Sequence, residues 1–417
     1  MCKFMRKWFF VFLTVILLSS NVYGQDTSTK YRRSSLYSIL IRHPEKEFGK
    51  DIDTVFRIVP IPEKFDNHNL KIRAINAAVV PKNKNSDSQN TIEYTIVPFL
   101  QKNEIAKRLV SKWFNRKEGK SGDGTFDINK IIERGLYDAD FYDYQTAIRS
   151  VRGQSLLADA GEELIGQTFV IFNDIRYIDK EEESALLAAG ISFAGALASQ
   201  FTGGLTSLAA SYGSAATSHL TASIVGFRVS ITSYLYRLNW SDSVAAVFYQ
   251  DYYMDEPIME KKNAYNQEKN LFNLEYIGSH TIVSSETTLR GVNTKNDMIR
   301  KVCERAIDKN IAQLQKEYEV FRVKTPLYSI KPLTAKIGLK EDIDEKSRFE
   351  VLEVIEDDNG RTRYKRVGIV KPVKYKIWDN RFMAEFEEEN EGSTRTETEF
   401  EVVSGSGFYP GMLLREM

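Results

Sequence analysis

RFEVLEVIE, Arg348 to Glu356, is followed across the turn signal DDNG (Asp357 to Gly360) by YKRVGIVKPVKYKIW, Tyr364 to Trp378. Both runs are rich in β-branched and aromatic residues and are bounded by turn formers, as strands are. LYSIKPLTAKIGL from Leu327 precedes them, and RFMAEFE from Arg381 and TEFEVVSGS from Thr398 follow. Five or six short strands in about 95 residues predict a small, mostly antiparallel β-barrel over 324–417. The preceding link, Thr325 to Pro326, closes a long helical segment, since the residue before a proline leaves the helical region.

Working back from that barrel, the chain reads as α+β. A helix is expected from about Asn296 to Phe321, with an apolar stripe of Ile299, Val302, Cys303, Ala306, Ile311, Leu314 and Tyr318. IVGFRVSITSYLYRLNW from Ile224 alternates Val225, Phe227, Val229 and Ile231 with polar or small residues, and is expected to pair as a hairpin with SVAAVFYQDYY from Ser243. Strand-like pieces lie near Leu271 and Thr281. Further strands are expected at LYSILI (36–41), VFRIVPIPEKF (55–65, limited to an edge by Pro60 and Pro62), NTIEYTIVPFL (90–100) and TFVIFNDIRYI (168–178). A helix carries Ile105, Leu109, Trp113 and Phe114 on one face and Lys107, Arg108, Lys112 and Arg116 on the other, and KEGKSGDG ends it. Helical periodicity broken at Gly135 and Gly153 runs from Phe126 to Ile165.

Residues 1–24 order Lys3, Arg6 and Lys7, an apolar run from Trp8 to Leu18, and a small polar stretch ending at Gly24. That is the layout of a cleaved secretory signal, and the run is shorter than the roughly 20 residues a membrane helix needs. Cleavage is expected before Gln25, and with no cysteine at the cut no lipid anchor is expected. The mature chain, 25–417, then keeps Cys303 alone, so no internal disulfide is expected. It carries 54 of the 57 basic side chains against 57 acidic ones, a balance unlike that of a nucleic-acid surface.

The segment 184–227 holds no Asp, Glu, Lys or Arg, and its first forty residues are dominated by Ala, Gly, Ser and Thr. Leu187, Ile191, Phe201, Leu205, Leu208 and Tyr212 recur at mostly helical spacing, and Gly195, Ser199 and Gly203 are four apart. The expectation is a small-residue helical insertion at 184–223 in the mixed region 25–323, packed in the core or between subunits. The alternative is contact with lipid, as a subunit of a membrane-associated oligomer or pore using 184–240.

LYSILIRHPEKEFGKDID (36–53), RGQSLLADAGEELIGQTFV (152–170), SYLYRLNW, KPVKYKIWDNRF and FYPGMLLRE together resemble exported proteins of gut Bacteroidetes, a resemblance that implies export and carries no activity. IGLKEDIDEKSRFEVLEV, VGIVKPV and PGMLL are similar to the small β-barrel of flagellar assembly T proteins, with Gly338, the strand from Arg348, Gly368, Pro410 and Gly411 in matching places; an acid usually follows the last Gly, where this chain has Met412. INKIIERGLYDA followed by AGEELIGQTFVIF looks like the periplasmic α/β modules of envelope-assembly proteins such as the curli secretion protein. LYSI occurs at 36–39 and 327–330, and KDID (50–53) echoes EDID (341–344) with different spacing.

Catalytic and ligand motifs are absent by pattern. His43 precedes Pro44 and His68 lies between asparagines, so both read as loop residues; His219 and His280 complete the set, and none lies near a G-x-S-x-G. Asp123 and Asp127 lack the order of a calcium loop, and Asp138, Asp140 and Asp143 sit among aromatics. GKSGDG follows a helix rather than a strand. YDADFYDY and FYQDYY offer aromatic faces for a sugar, although such spacing more often belongs to a core. No catalytic, cofactor-binding or metal residues are assigned and no cofactor is expected. The expected function is non-enzymatic, binding or cell-envelope assembly in the periplasm or at the surface, with an envelope or extracellular protein or a second copy as partner. A hydrolase whose groups meet only in the fold is the other alternative.

Overall fold

The computed structural model describes residues 34–79, 87–119, 122–131, 164–178, 224–289, 295–356, 362–384 and 395–417. The expected signal peptide, the insertion at 184–223, the aromatic run 137–144, the turn 357–360 and the acidic run 385–391 lie outside them.

β1 (Ser35–Arg42) and β4 (Thr168–Tyr177) lie side by side and parallel, Ile39 opposite Phe172. β2 (Asp66–Asn67) and β3 (Ala74–Asn76) pair in turn with the other side of β1, also parallel. β4 continues antiparallel into β5 (Ile224–Leu238) and β5 into β6 (Leu274–Leu289), giving the order β2-β1-β4-β5-β6 with β3 on β1. Apolar side chains leave both faces. Tyr37, Ile39, Val170, Phe172 and Tyr234 enter one core, and Leu36, Leu40, Phe169, Ile171, Ile231 and Leu235 enter the other. A sheet covered on both sides needs apolar residues at every position, which is why β1 and β4 read as continuous hydrophobic runs.

The first core is covered by α4 (Ile105–Trp113), α5 (Asp242–Val247) and α6 (Met259–Gln267), the second by α1 (Gly49–Ile58) and α7 (Lys295–Glu317). α7 buries the whole expected stripe from Ile299 to Leu314. α4 likewise buries Ile105, Leu109 and Trp113, but Lys107, expected on its wet face, is buried with its ammonium on the carbonyls of Asn266 and Glu268.

Three expected strands are helical. Residues 90–100 run from α2 (Asp87–Thr91) through a π-helical turn, Ile92–Ile96, into α3 (Val97–Lys102). Ile92, Ile96 and Phe99 there have helical spacing, and in so short a run the same residues also mimic alternation. Residues 55–58 end α1, whose buried Ile52, Val55 and Phe56 form one helical face starting before the segment taken as a strand. SVAAVFYQDYY forms α5 and a second π-helical turn, Phe248–Tyr252, started by Ser241, whose hydroxyl accepts from the Val244 amide. The true partner of β5 is β6, one continuous strand where two pieces were expected.

The C-terminal strands close a six-stranded antiparallel barrel in the order β10-β11-β8-β7-β12-β9. These are β7 (Thr325–Ile330), β8 (Leu333–Ala335), β9 (Phe349–Glu356), β10 (Thr362–Pro372), β11 (Thr398–Gly405) and β12 (Leu413–Glu416). Leu327, Ala335, Val351, Val370, Phe400 and Leu414 fill it. Arg381–Ala384, expected to open a strand, is a turn instead. Gly368 sits in β10 where a Cβ would come within 2.5 Å of the Phe408 ring and the Ser404 carbonyl, so the strands cross there only without a side chain. The LYSI echo falls on strands in two unrelated sheets, and KDID is helical whereas EDID is a turn.

Candidate functional site

α7 has two faces. Its apolar stripe meets the sheet, while Arg305, Asp308, Gln313 and Lys316, spaced three to five apart, meet the barrel. The Arg305 guanidinium donates twice to the carbonyl of Phe382, at 3.0 and 2.8 Å. Gln313 Nε2 donates to Asp342 Oδ2 at 2.6 Å, and Lys316 Nζ donates to the same oxygen at 2.9 Å and to the Asp342 carbonyl at 2.8 Å. Lys316 also lies 3.7 Å from Glu416 Oε1 in β12. Lys340 Nζ stands 3.5 Å from Asp308 Oδ2, near enough for charge attraction, although that oxygen accepts no hydrogen bond.

Burial sets the protonation of this seam. Burial pushes the Asp308 carboxyl up to about 7; Lys340 opposes the rise while Glu304 and Glu341 add to it. Glu304 and Glu416 are raised for the same first reason. Burial works against the Lys340 ammonium, but Asp308, Glu341 and Glu304 outweigh it and hold the lysine above its usual range.

Beside this seam a small cleft of about 50 Å³, open to solvent, runs between the end of α7, the loop after α1 and the barrel. Val323, Ile337, Ile343, Phe349 and Leu414 give it apolar walls. Lys64 reaches in from the loop that Pro60 and Pro62 hold out of helix and strand. Its ammonium donates to Gln315 Oε1 at 2.9 Å, the one hydrogen bond it makes among the described residues. Burial lowers its pKa, against the attraction of the cleft carboxylates Glu341 and Glu416 and of Asp308. An ammonium has three donors, so a cleft ligand bearing an acceptor finds a prepared partner there. Arg322, at the rim, is used differently: it donates to the Gln315 and Lys316 carbonyls and caps the end of α7.

His43 and His68 stand in loops, as expected, and both are buried. His43 Nε2 is 2.7 Å from Asp174 Oδ1, and Arg176 binds the same carboxylate through two nitrogens at 3.0 and 2.7 Å. Burial would raise Asp174, but the bonds from His43 and Arg176 prevail and lower it. The second His43 nitrogen faces Glu45 at 3.6 Å. A general base turns that nitrogen to a nucleophile; here it meets an acid, so the group works as a clamp between the ends of β1 and β4. Burial first, then Lys112, pushes His68 down to about 3, and its ring stacks on Trp113 at 4.9 Å. His280 lies 3.1 Å from Glu317. His219 lies outside the described residues.

Cys303 is buried in the core with its thiol pushed up to about 12 by burial, which removes the thiolate a nucleophile needs. Asp123 accepts from the amide and hydroxyl of Thr125, and Asp127 from the Asn129 amide, so both serve turns. Among the described residues no group of three His, Cys, Asp or Glu is placed to hold a metal ion. Phe248, Tyr249, Tyr252 and Tyr253 pack with Phe114, Phe126 and Tyr265 as core. The cleft residues Lys64 and Lys316 and the seam residues Asp308 and Lys340 were not singled out in the sequence; the polar spacing on α7 was the available signal. No protein-family model and no curated protein matches the chain.

Proposed function

We propose that this is an exported, non-enzymatic protein of the periplasm or cell surface, acting by binding or in cell-envelope assembly, and that its ligand or protein partner enters the cleft between α7 and the barrel. The observation that carries the reading is the Lys64 ammonium, held in a half-apolar cleft with a single neutral hydrogen-bond partner. Export rests on the order of charged, apolar and small residues in 1–24. The pore alternative draws on 184–240. Its described portion, β5, is an interior strand held between β4 and β6, and no helix among the described residues is long and apolar enough to cross a membrane.

A photo-crosslinking amino acid at Val323, in the cleft wall, tests the binding reading in the native host, with the same group at exposed Tyr375 as reference. Adducts that form at position 323, fall with Lys64→Met and sit on a chain starting at Gln25 support it. Equal adducts at both positions, or a cytoplasmic chain that keeps Met1, would overturn it.

A further inference from the structure

The two edges of the sheet are built differently. On one side β1 is flanked by two fragments, β2 of two residues and β3 of three, a broken edge that offers little to an incoming strand. On the other side β6 runs for 16 residues and, among the described residues, pairs only with β5. Natural sheets protect such an edge with lysines, prolines or short strands. From Tyr276 to Ser285 β6 has no Lys, Arg, Asp, Glu or Pro. Near its start Tyr318 from beyond α7 lies over Gly278, where a Cβ would overlap the phenol, and Asn310 of α7 donates to the His280 carbonyl at 3.1 Å, so α7 covers this face of β6, while Thr281 stays exposed.

We infer that the β6 edge pairs antiparallel with the β6 edge of a second copy, extending the sheet through a two-fold axis. A two-fold perpendicular to the sheet keeps each residue opposite one of the same face, so the register must be centred on a residue rather than between two. Centred on the exposed Thr281, it sets Gly278 against Ser284, Ser279 against Val283 and His280 against Ile282. Opposed Thr residues and the aromatic–β-branched pair of His280 with Ile282 are favourable, and no charge meets its like. Parallel in-register pairing would instead stack Glu275 on Glu275. The same patch therefore complements itself, as a closed dimer requires. This inference is independent of the cleft.

Light scattering and hydrogen exchange on the mature chain test it together. The expected result is a mass of two chains at high concentration, with amides of 278–284 protected there and exchanging at least severalfold faster on dilution. Thr281→Lys places two ammoniums face to face on the axis and is expected to give single-chain mass with the melting temperature of diluted wild type, while Thr281→Val stays a dimer. Single-chain mass for the wild type at all concentrations, a dimer that survives Thr281→Lys, or protection that ignores dilution would overturn the inference, the last because it means the chain covers its own edge. Should Thr281→Lys fail to fold, the dilution dependence of the wild type decides alone.

Discussion

β1 is buried along its first seven residues, whereas β11 buries only Thr398 and Phe400 before Glu401 to Gly405 turn out to solvent. The sheet lies between two helical layers and depends on both. The barrel closes on itself and needs one inner side. The difference teaches where damage travels: a hole under the sheet loosens strands and helices on that face together, while a hole in the barrel has nearby rim residues able to settle into it.

The largest effect follows directly. Phe172, fully buried, meets Phe99 and Tyr236 edge-on, so Phe172→Ala is expected to cost about 3–5 kcal/mol in urea unfolding. Phe349→Ala in the barrel removes the same ring from a contact with Phe400 and is expected at or below the low end, about 3 kcal/mol. A larger loss for Phe349 than for Phe172 would break the contrast.

How the two regions are joined gives the next effect. An acid whose folded pKa lies above its unfolded value, as for Asp308 at about 7 against an ordinary value near 4, contributes stability that is complete below pH 4 and lost as the pH rises to 7. Asp174 is shifted the other way, so the useful quantity is the wild type minus Asp308→Asn. That difference is expected to fall by on the order of 2–3 kcal/mol between pH 4 and pH 7. A flat difference would mean that Lys340 keeps Asp308 ionised throughout.

Strands were readable where burial was two-sided, as in LYSILI and TFVIFNDIRYI, and where turn signals recurred, as in the barrel. The long helix was readable because its apolar stripe persists over six turns. Residues 90–100 and 243–253 were misread because four or five apolar positions satisfy either period, and the choice depends on the neighbour they cover. Lys64 meets Gln315 across 251 positions, so no local spacing marks the cleft. The same holds for β6, whose edge position depends on the order of strands rather than on its own sequence.

A last contrast lies inside the second core, where α7 is fixed to the sheet by a chain of buried polar groups. Asn173 Nδ2 donates to Ser38 Oγ at 3.0 Å, Ser233 Oγ donates to Asn173 Oδ1 at 2.7 Å, and Asn310 Nδ2 donates to Ser233 Oγ at 2.8 Å and to the His280 carbonyl at 3.1 Å. The chain crosses β1, β4 and β5 and ends on the helix, while Asn310 Oδ1 stays buried and unbonded. It fixes where along α7 the sheet is met, since a shift of one turn would leave Ser233 and Asn173 short of partners. Asn310→Ala removes two donated bonds but also that unpaired oxygen, so the expected cost is only about 1–2 kcal/mol. Ser233→Ala breaks the same link from the other side and orphans Asn173 Oδ1. If the groups act as one chain, the double variant costs less than the two single losses added, by about 0.5–1 kcal/mol in a double-mutant cycle. Strict additivity would show that α7 is held by its apolar stripe alone, and the sheet and the barrel would then differ only in how many sides they bury.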